Sequence, residues 1–225
     1  MMSNLLKPVS SRVVLIVLAA LITGAVSASA STIVGIIDWD PPATAWTSDV
    51  PDDVDVAITN SAGDNWLSIS FTNTTPLAAT VSGSAANLFA GTWRSEYWIE
   101  FDFWADTQAD SVQVRWGADG STNIWGQTVT PSGGLGSWQT LRTDAFGQTA
   151  ADWDIGLGNT VEYLTDLSSI DWIGVYIDRA GTGDENYGID DFSLMVPEPA
   201  EVMLIAAAFG VGLLVWRRMR LVPVT

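Results

Sequence analysis

The sequence predicts an all-β fold, an antiparallel β-sandwich of the jelly-roll type, set between two apolar terminal segments. Three observations point to it. Short runs in the middle of the chain alternate apolar and polar residues with period two. Turn-forming clusters separate those runs at short intervals. No long helical period appears between them, and many short strands at such spacing describe a sandwich.

Taken in order, the first segment reads as a signal peptide, residues 1–30. Lys7 and Arg12 precede an apolar stretch from Val13 to Ile22, and Ala28-Ser29-Ala30 supplies the small residues a signal peptidase requires. An uncleaved anchor is the alternative, but the run is short and its flank is rich in Ala, Ser and Gly.

Residues 31–195 then form one exported domain of a size that suits a single β-sandwich. Val54, Val56 and Ile58 alternate with polar or small residues; Leu67, Ile69 and Phe71 alternate with Ser68, Ser70 and Thr72; Val112, Val114 and Trp116 alternate with Gln113 and Arg115. Tyr97–Asp106 places Tyr97, Ile99, Phe101 and Phe103 on a core face and Trp98, Glu100, Asp102 and Trp104 on the other. Further strands are expected over 122–129, 138–143, 170–177 and 187–194. Asp119-Gly120-Ser121, Ser132-Gly133-Gly134 and Gly181-Thr182-Gly183-Asp184 mark turns.

Composition excludes several chemistries. The chain has no cysteine and no histidine, which removes disulfides, thiolate nucleophiles, the Ser-His-Asp triad and the usual catalytic zinc ligands. Residues 31–195 carry four arginines, Arg94, Arg115, Arg142 and Arg179, against 24 acids, a formal charge of −20. Nucleic acid and anionic lipid are poor partners for such a surface. A carboxylate-based hydrolase stays open, although among 24 acids no pair stands out.

The last segment, 196–225, is the most specific. Val196-Pro197-Glu198-Pro199 precedes an uncharged apolar run, Val202–Trp216, and then Arg217, Arg218 and Arg220. As a helix the run spans roughly 22 Å, slightly short of a hydrocarbon core, and the arginines would hold the C-terminus in the cytoplasm. In this order a Pro-Glu-Pro box, one apolar segment and an arginine cluster resemble the PEP-CTERM sorting signal of Gram-negative bacteria. The resemblance implies a transient inner-membrane anchor by one transmembrane helix, processing near the box by an exosortase-type transpeptidase, and a cell-surface or extracellular destination among secreted polysaccharide.

Within the domain, Tyr187-Gly188-Ile189-Asp190-Asp191-Phe192-Ser193-Leu194, Gly136-Ser137-Trp138-Gln139-Thr140-Leu141 and Ile173-Gly174-Val175-Tyr176-Ile177 resemble strands of galactose-binding-like jelly rolls, the fold of many carbohydrate-binding modules. The resemblance implies a structural calcium ion held by an acid on the closing strand and another near the first strand. Strict alternation places Asp190 on the face of Phe192 and Leu194, an inward carboxylate that a hard cation would compensate, with Asp38 and Asp40 as its expected partners. The plainer reading is that Asp190 and Asp191 are a solvated pair at a strand edge.

Glycan-binding candidates are Trp98, Glu100, Asp102 and Trp104, with the two rings roughly 20 Å apart along one strand face, and Arg115 on another strand. Arg115 with Gln113 would complete either a sugar site or a salt bridge to Glu100; Trp172 and Tyr176 are second choices. The plainer alternative buries Trp98 and Trp104. The expected function is a non-catalytic, exported carbohydrate-binding protein. A structural or adhesion component of the polysaccharide matrix with no specific ligand comes second, and a β-sandwich lyase or glycosidase a distant third.

Overall fold

The structure, a computed structural model, describes residues 31–37, 39, 46–61, 63–72, 77–84 and 93–197. Ile33–Val196 make one compact unit. A second, Met1–Thr32 with Pro197–Thr225, reaches the described residues only at Ser31, Thr32 and Pro197. The expected signal peptide, Glu198, Pro199, the apolar run and Arg217, Arg218 and Arg220 all lie outside the described residues, while Val196 and Pro197 end the last strand. Among the described residues no helix is long and apolar enough to cross a membrane.

Eleven strands are present among the described residues: β1 (Ser31–Ile37), β2 (Thr47–Ser48), β3 (Val54–Ser61), β4 (Asp64–Phe71), β5 (Ala78–Ser84), β6 (Trp98–Ala105), β7 (Ala109–Ala118), β8 (Trp125–Val129), β9 (Gln139–Arg142), β10 (Ile170–Arg179) and β11 (Glu185–Pro197). They form two sheets. Sheet A runs β3-β4-β11-β6-β9, with β1 also pairing to β11; sheet B runs β2-β5-β10-β7-β8. The pairings β3 to β4, β4 to β11, β11 to β6, β6 to β9 and those of sheet B are antiparallel. The expected sandwich is what the chain forms.

Period-two alternation explains the layers. On β6 the inward residues Ile99, Phe101, Phe103 and Ala105 are buried, as are Leu67, Ile69 and Phe71 on β4 and Val112, Val114 and Trp116 on β7. Tyr187 and Ile189 of β11 and Ile173, Val175 and Ile177 of β10 complete the facing layers. Burial of this much aliphatic and aromatic surface drives the fold at about 25 cal/mol per Å².

One end of the sandwich is closed by aromatic rings. Phe146 stacks on Trp153 at 4.6 Å, and Trp116 touches Trp125, Phe146, Trp153 and Tyr163. A short helix, α1 (Tyr163–Leu167), caps this cluster. Its buried Asp166 accepts hydrogen bonds from the Ser121 hydroxyl at 3.1 Å, the Asn123 amide at 2.9 Å and the Trp125 indole at 2.9 Å. Asp166→Ala would strand these donors, and a urea denaturation curve is expected to register a loss of about 3 kcal/mol.

One expectation is corrected on β11. Between Asp190 and Ser193 the pairing with β6 slips by a bulge, and Asp191 takes a φ of 47°. An extra residue on one strand resets the alternation, and aspartate is among the few residues that enter the left-handed region readily. Ile189 and Phe192 therefore both face the core, while Asp190 points to the outer face of sheet A with Gly188, not inward with Phe192 and Leu194 as strict alternation requires.

Two outer faces and a candidate glycan-binding site

The outer face of sheet A is assembled from alternate residues of four strands. β6 contributes Trp98, Glu100, Asp102 and Trp104. Asp190 lies opposite Asp102, Gly188 opposite Trp104, Ser193 opposite Glu100 and Met195 opposite Trp98. From β9, Thr140 stands opposite Asp102 and Arg142 opposite Glu100. On the other side Ser68 of β4 pairs with Gly188.

Three indoles cluster over that glycine. Trp66 and Trp138 meet edge to face at 5.7 Å, and Trp66 and Trp104 lie tilted at 6.4 Å. Gly188 is required here because a Cβ at that position would come within 2.8 Å of the Trp138 ring and 3.0 Å of the Trp66 ring. Trp138 is 43% exposed, and Trp66 and Trp104 are half-buried. Beside the cluster a cleft of about 230 Å³ opens between β1 and β9, lined by Ile33 and Ile36 on one side and by Glu100, Asp102, Thr140 and Ser193 beneath. The Thr140 hydroxyl donates to Asp102 Oδ1 at 2.6 Å.

Trp98 does not offer a ring to solvent. It is only 4% exposed, roofed by the Arg142 guanidinium at 4.1 Å from its ring centroid. Of the expected platform, Glu100, Asp102 and Trp104 remain together. Arg115 belongs elsewhere: β7 carries it on the outer face of sheet B, where its guanidinium lies 3.5 Å from the Tyr176 ring centroid and its Nε donates to Gln113 at 2.9 Å. The alternative salt bridge from Arg115 to Glu100 is therefore ruled out by the two residues' placement on opposite outer faces. Burial lowers the Arg115 pKa, against the opposing pull of Tyr176 and Asp49. Trp172 on the same outer face packs against Gly117, where an added Cβ would collide with the indole.

The two rings the sequence reading missed had a signal. Trp66 shares the parity of Ser68 and Ser70, and Trp138 that of Thr140 and Arg142, so both fall on outward positions of their strands.

Asp190 is pushed up to about 6, first by burial and then by the charges of Asp191, Asp64 and Asp102, against the opposing backbone hydrogen bond from Asp191. Because this lies above the ordinary 3.8, the folded chain holds that proton more tightly than the unfolded chain. Ionised Asp190 thus costs stability above about pH 6, and the cost vanishes as the pH falls toward 3.8. Asp190→Asn should stabilise the protein at neutral pH by about 1 kcal/mol, after discount for solvent screening, and leave it unchanged near the lower value. Thermal melts at the two pH values measure this.

The calcium expectation rested on an inward Asp190 flanked by Asp38 and Asp40. Asp190 faces outward, and Asp38 and Asp40 lie outside the described residues. Among the described residues no three acidic side chains are grouped so as to hold a metal ion.

Solved structures share this architecture. CtCBM11, determined in solution with dynamics and binding studies, superposes with a TM-score of 0.51 over 77% of this chain and 98% of its own, at 21% identity. The fold is that of a carbohydrate-binding-module-like jelly roll. Also similar are a family 11 carbohydrate-binding module from Clostridium thermocellum in complex with a β-1,3-1,4-mixed-linked tetrasaccharide (TM-score 0.48, 19% identity, 76% of this chain and 98% of that one) and the family 11 module of the cellulosomal cellulase Lic26A-Cel5E of the same organism (0.47, 18%, 76% and 97%). No protein-family model matches the sequence, and no curated protein similar to it was found. At these identities the jelly-roll likeness fixes the fold alone, and ligand choice must come from the faces.

Proposed function

We propose that the protein is a non-catalytic, exported carbohydrate-binding protein whose site is the outer face of sheet A. The observation that carries this reading is the indole trio of Trp66, Trp104 and Trp138 beside a cleft lined by Glu100, Asp102 and Thr140. Sugar rings present apolar C–H faces that pack on indoles, while their hydroxyls donate to carboxylates and exchange hydrogen bonds with threonine. A jelly roll supplies the rigid sheet on which such groups keep their spacing.

A hydrolytic reading is less well supported. Asp190 holds its proton above the ordinary carboxylate value, as a general acid would, yet it and Asp102 are register partners projecting from one sheet face. A glycosidase needs its two carboxylates on either side of the scissile bond. The burial of Trp98 fits the alternative of a matrix component with no specific ligand; the exposure of Trp138 and the cleft favour binding.

The sorting route belongs to the same proposal. Val196-Pro197-Glu198-Pro199, the apolar run Val202–Trp216 and Arg217, Arg218 and Arg220 would hold the chain in the inner membrane until an exosortase-type transpeptidase releases the domain toward the cell surface or matrix.

The test is a polysaccharide array probed with residues 31–196, which contain both sheets and the whole core. Saturable binding is expected, and Trp138→Ala should weaken it about tenfold while far-ultraviolet circular dichroism and a cooperative thermal melt are retained. Silence across bacterial, plant and algal glycans would leave the matrix reading.

A further inference from the structure

Resting on the glycan-binding reading of this face, we propose that its ligand is a glycan strand bearing free ammonium groups, an amino-sugar polymer that is not fully N-acetylated. The indoles stand in an acidic neighbourhood. Glu100 and Asp102 line the cleft, and Asp190 lies across from Asp102 on the same face. Arg142, the cation placed opposite Glu100, has its guanidinium laid on Trp98.

Charge complementarity selects the occupant. A neutral sugar offers hydroxyls, whose hydrogen bonds recover only part of what these carboxylates lose with their hydration. A uronate-bearing strand would be repelled. An ammonium group on the sugar ring makes charge-assisted hydrogen bonds to Asp102 or Glu100 while its ring packs on Trp138, and a cation against an indole face adds attraction. The upward displacement of the Asp190 pKa, caused by burial and by neighbouring acids, agrees with a face short of counter-charge.

The test is calorimetric titration of residues 31–196 with three hexasaccharides: a β-1,4-linked glucosamine oligomer in its ammonium form, the same oligomer fully N-acetylated, and a neutral β-glucan. The glucosamine oligomer is expected to bind about tenfold more tightly than the other two, with a preference that shrinks as salt is added. Glu100→Gln/Asp102→Asn should erase that preference. Asp119→Asn/Asp171→Asn, which removes equal charge from exposed positions away from this face, should retain it.

Equal or tighter binding of the acetylated or neutral oligomer would overturn the amino-sugar assignment and leave glycan binding standing. A preference that survives Glu100→Gln/Asp102→Asn, or falls equally in Asp119→Asn/Asp171→Asn, would assign the effect to bulk charge and overturn it as well. Failure of all three oligomers together with a silent array would sink both readings.

Discussion

Trimming Trp116 to alanine is expected to lower the unfolding free energy by about 4 kcal/mol, within the range for removing a large buried aromatic ring. Trp116 has no exposed surface and touches Trp125, Phe146, Trp153 and Tyr163, so the void would open among rings that are themselves fixed. Phe146 stacks on Trp153, and Trp125 meets Tyr163 edge to face at 4.9 Å. Neighbours so constrained cannot collapse into the space, which places the cost toward the upper end. Guanidinium unfolding measures it, and a loss below about 1 kcal/mol would mean that the end cluster repacks freely.

The largest effect on binding should come from a residue that touches no sugar. Gly188→Val keeps every tryptophan, and valine suits a strand. Its side chain nonetheless occupies the space where the Trp66 and Trp138 rings lie, since a Cβ alone would come within 3.0 Å of each. Both rings must swing away. If each stacked ring contributes about a factor of ten, displacing both should weaken glycan binding about a hundredfold. The fold should survive because the collision is on the outer face. Titration calorimetry beside a thermal melt separates these effects: native stability with intact affinity would show that the trio is not the platform.

Much of this arrangement is readable from residue order. The alternation of Trp98–Ala105 on β6 separates core from outer face correctly, because a half-buried strand in a sandwich repeats every two residues. The same rule succeeds for β4 and β7. It fails at β11, where a bulge adds one residue and Asp190 changes face; period two cannot reveal an inserted residue, although Asp190-Asp191 is a pair that tolerates the required backbone. It is also silent on β5, whose Ala-Ala-Thr-Val-Ser-Gly-Ser sequence lacks large apolar residues. Part of the reason is packing, since the Trp46 ring lies 2.3 Å from where a Cβ of Gly83 would be.

The site was half legible. Trp104, Glu100 and Asp102 fall where alternation puts them. The burial of Trp98 depends on Arg142, which is distant in sequence and arrives through the pairing of β9 with β6. Arg115 is outward as expected, but which sheet carries it is a matter of topology that no strand announces alone. Trp66 and Trp138 join Trp104 only because β4 and β9 flank β11 and β6, and Gly188 leaves room for the rings.

The most direct test is a nuclear magnetic resonance titration of residues 31–196 with the tightest glycan from the array, following the indole N–H signals. The sheet A site requires the signals of Trp66, Trp104 and Trp138 to move with ligand while that of Trp172, on the opposite outer face, stays fixed. Movement of Trp172 with the trio unmoved would transfer binding to sheet B and contradict the proposed site.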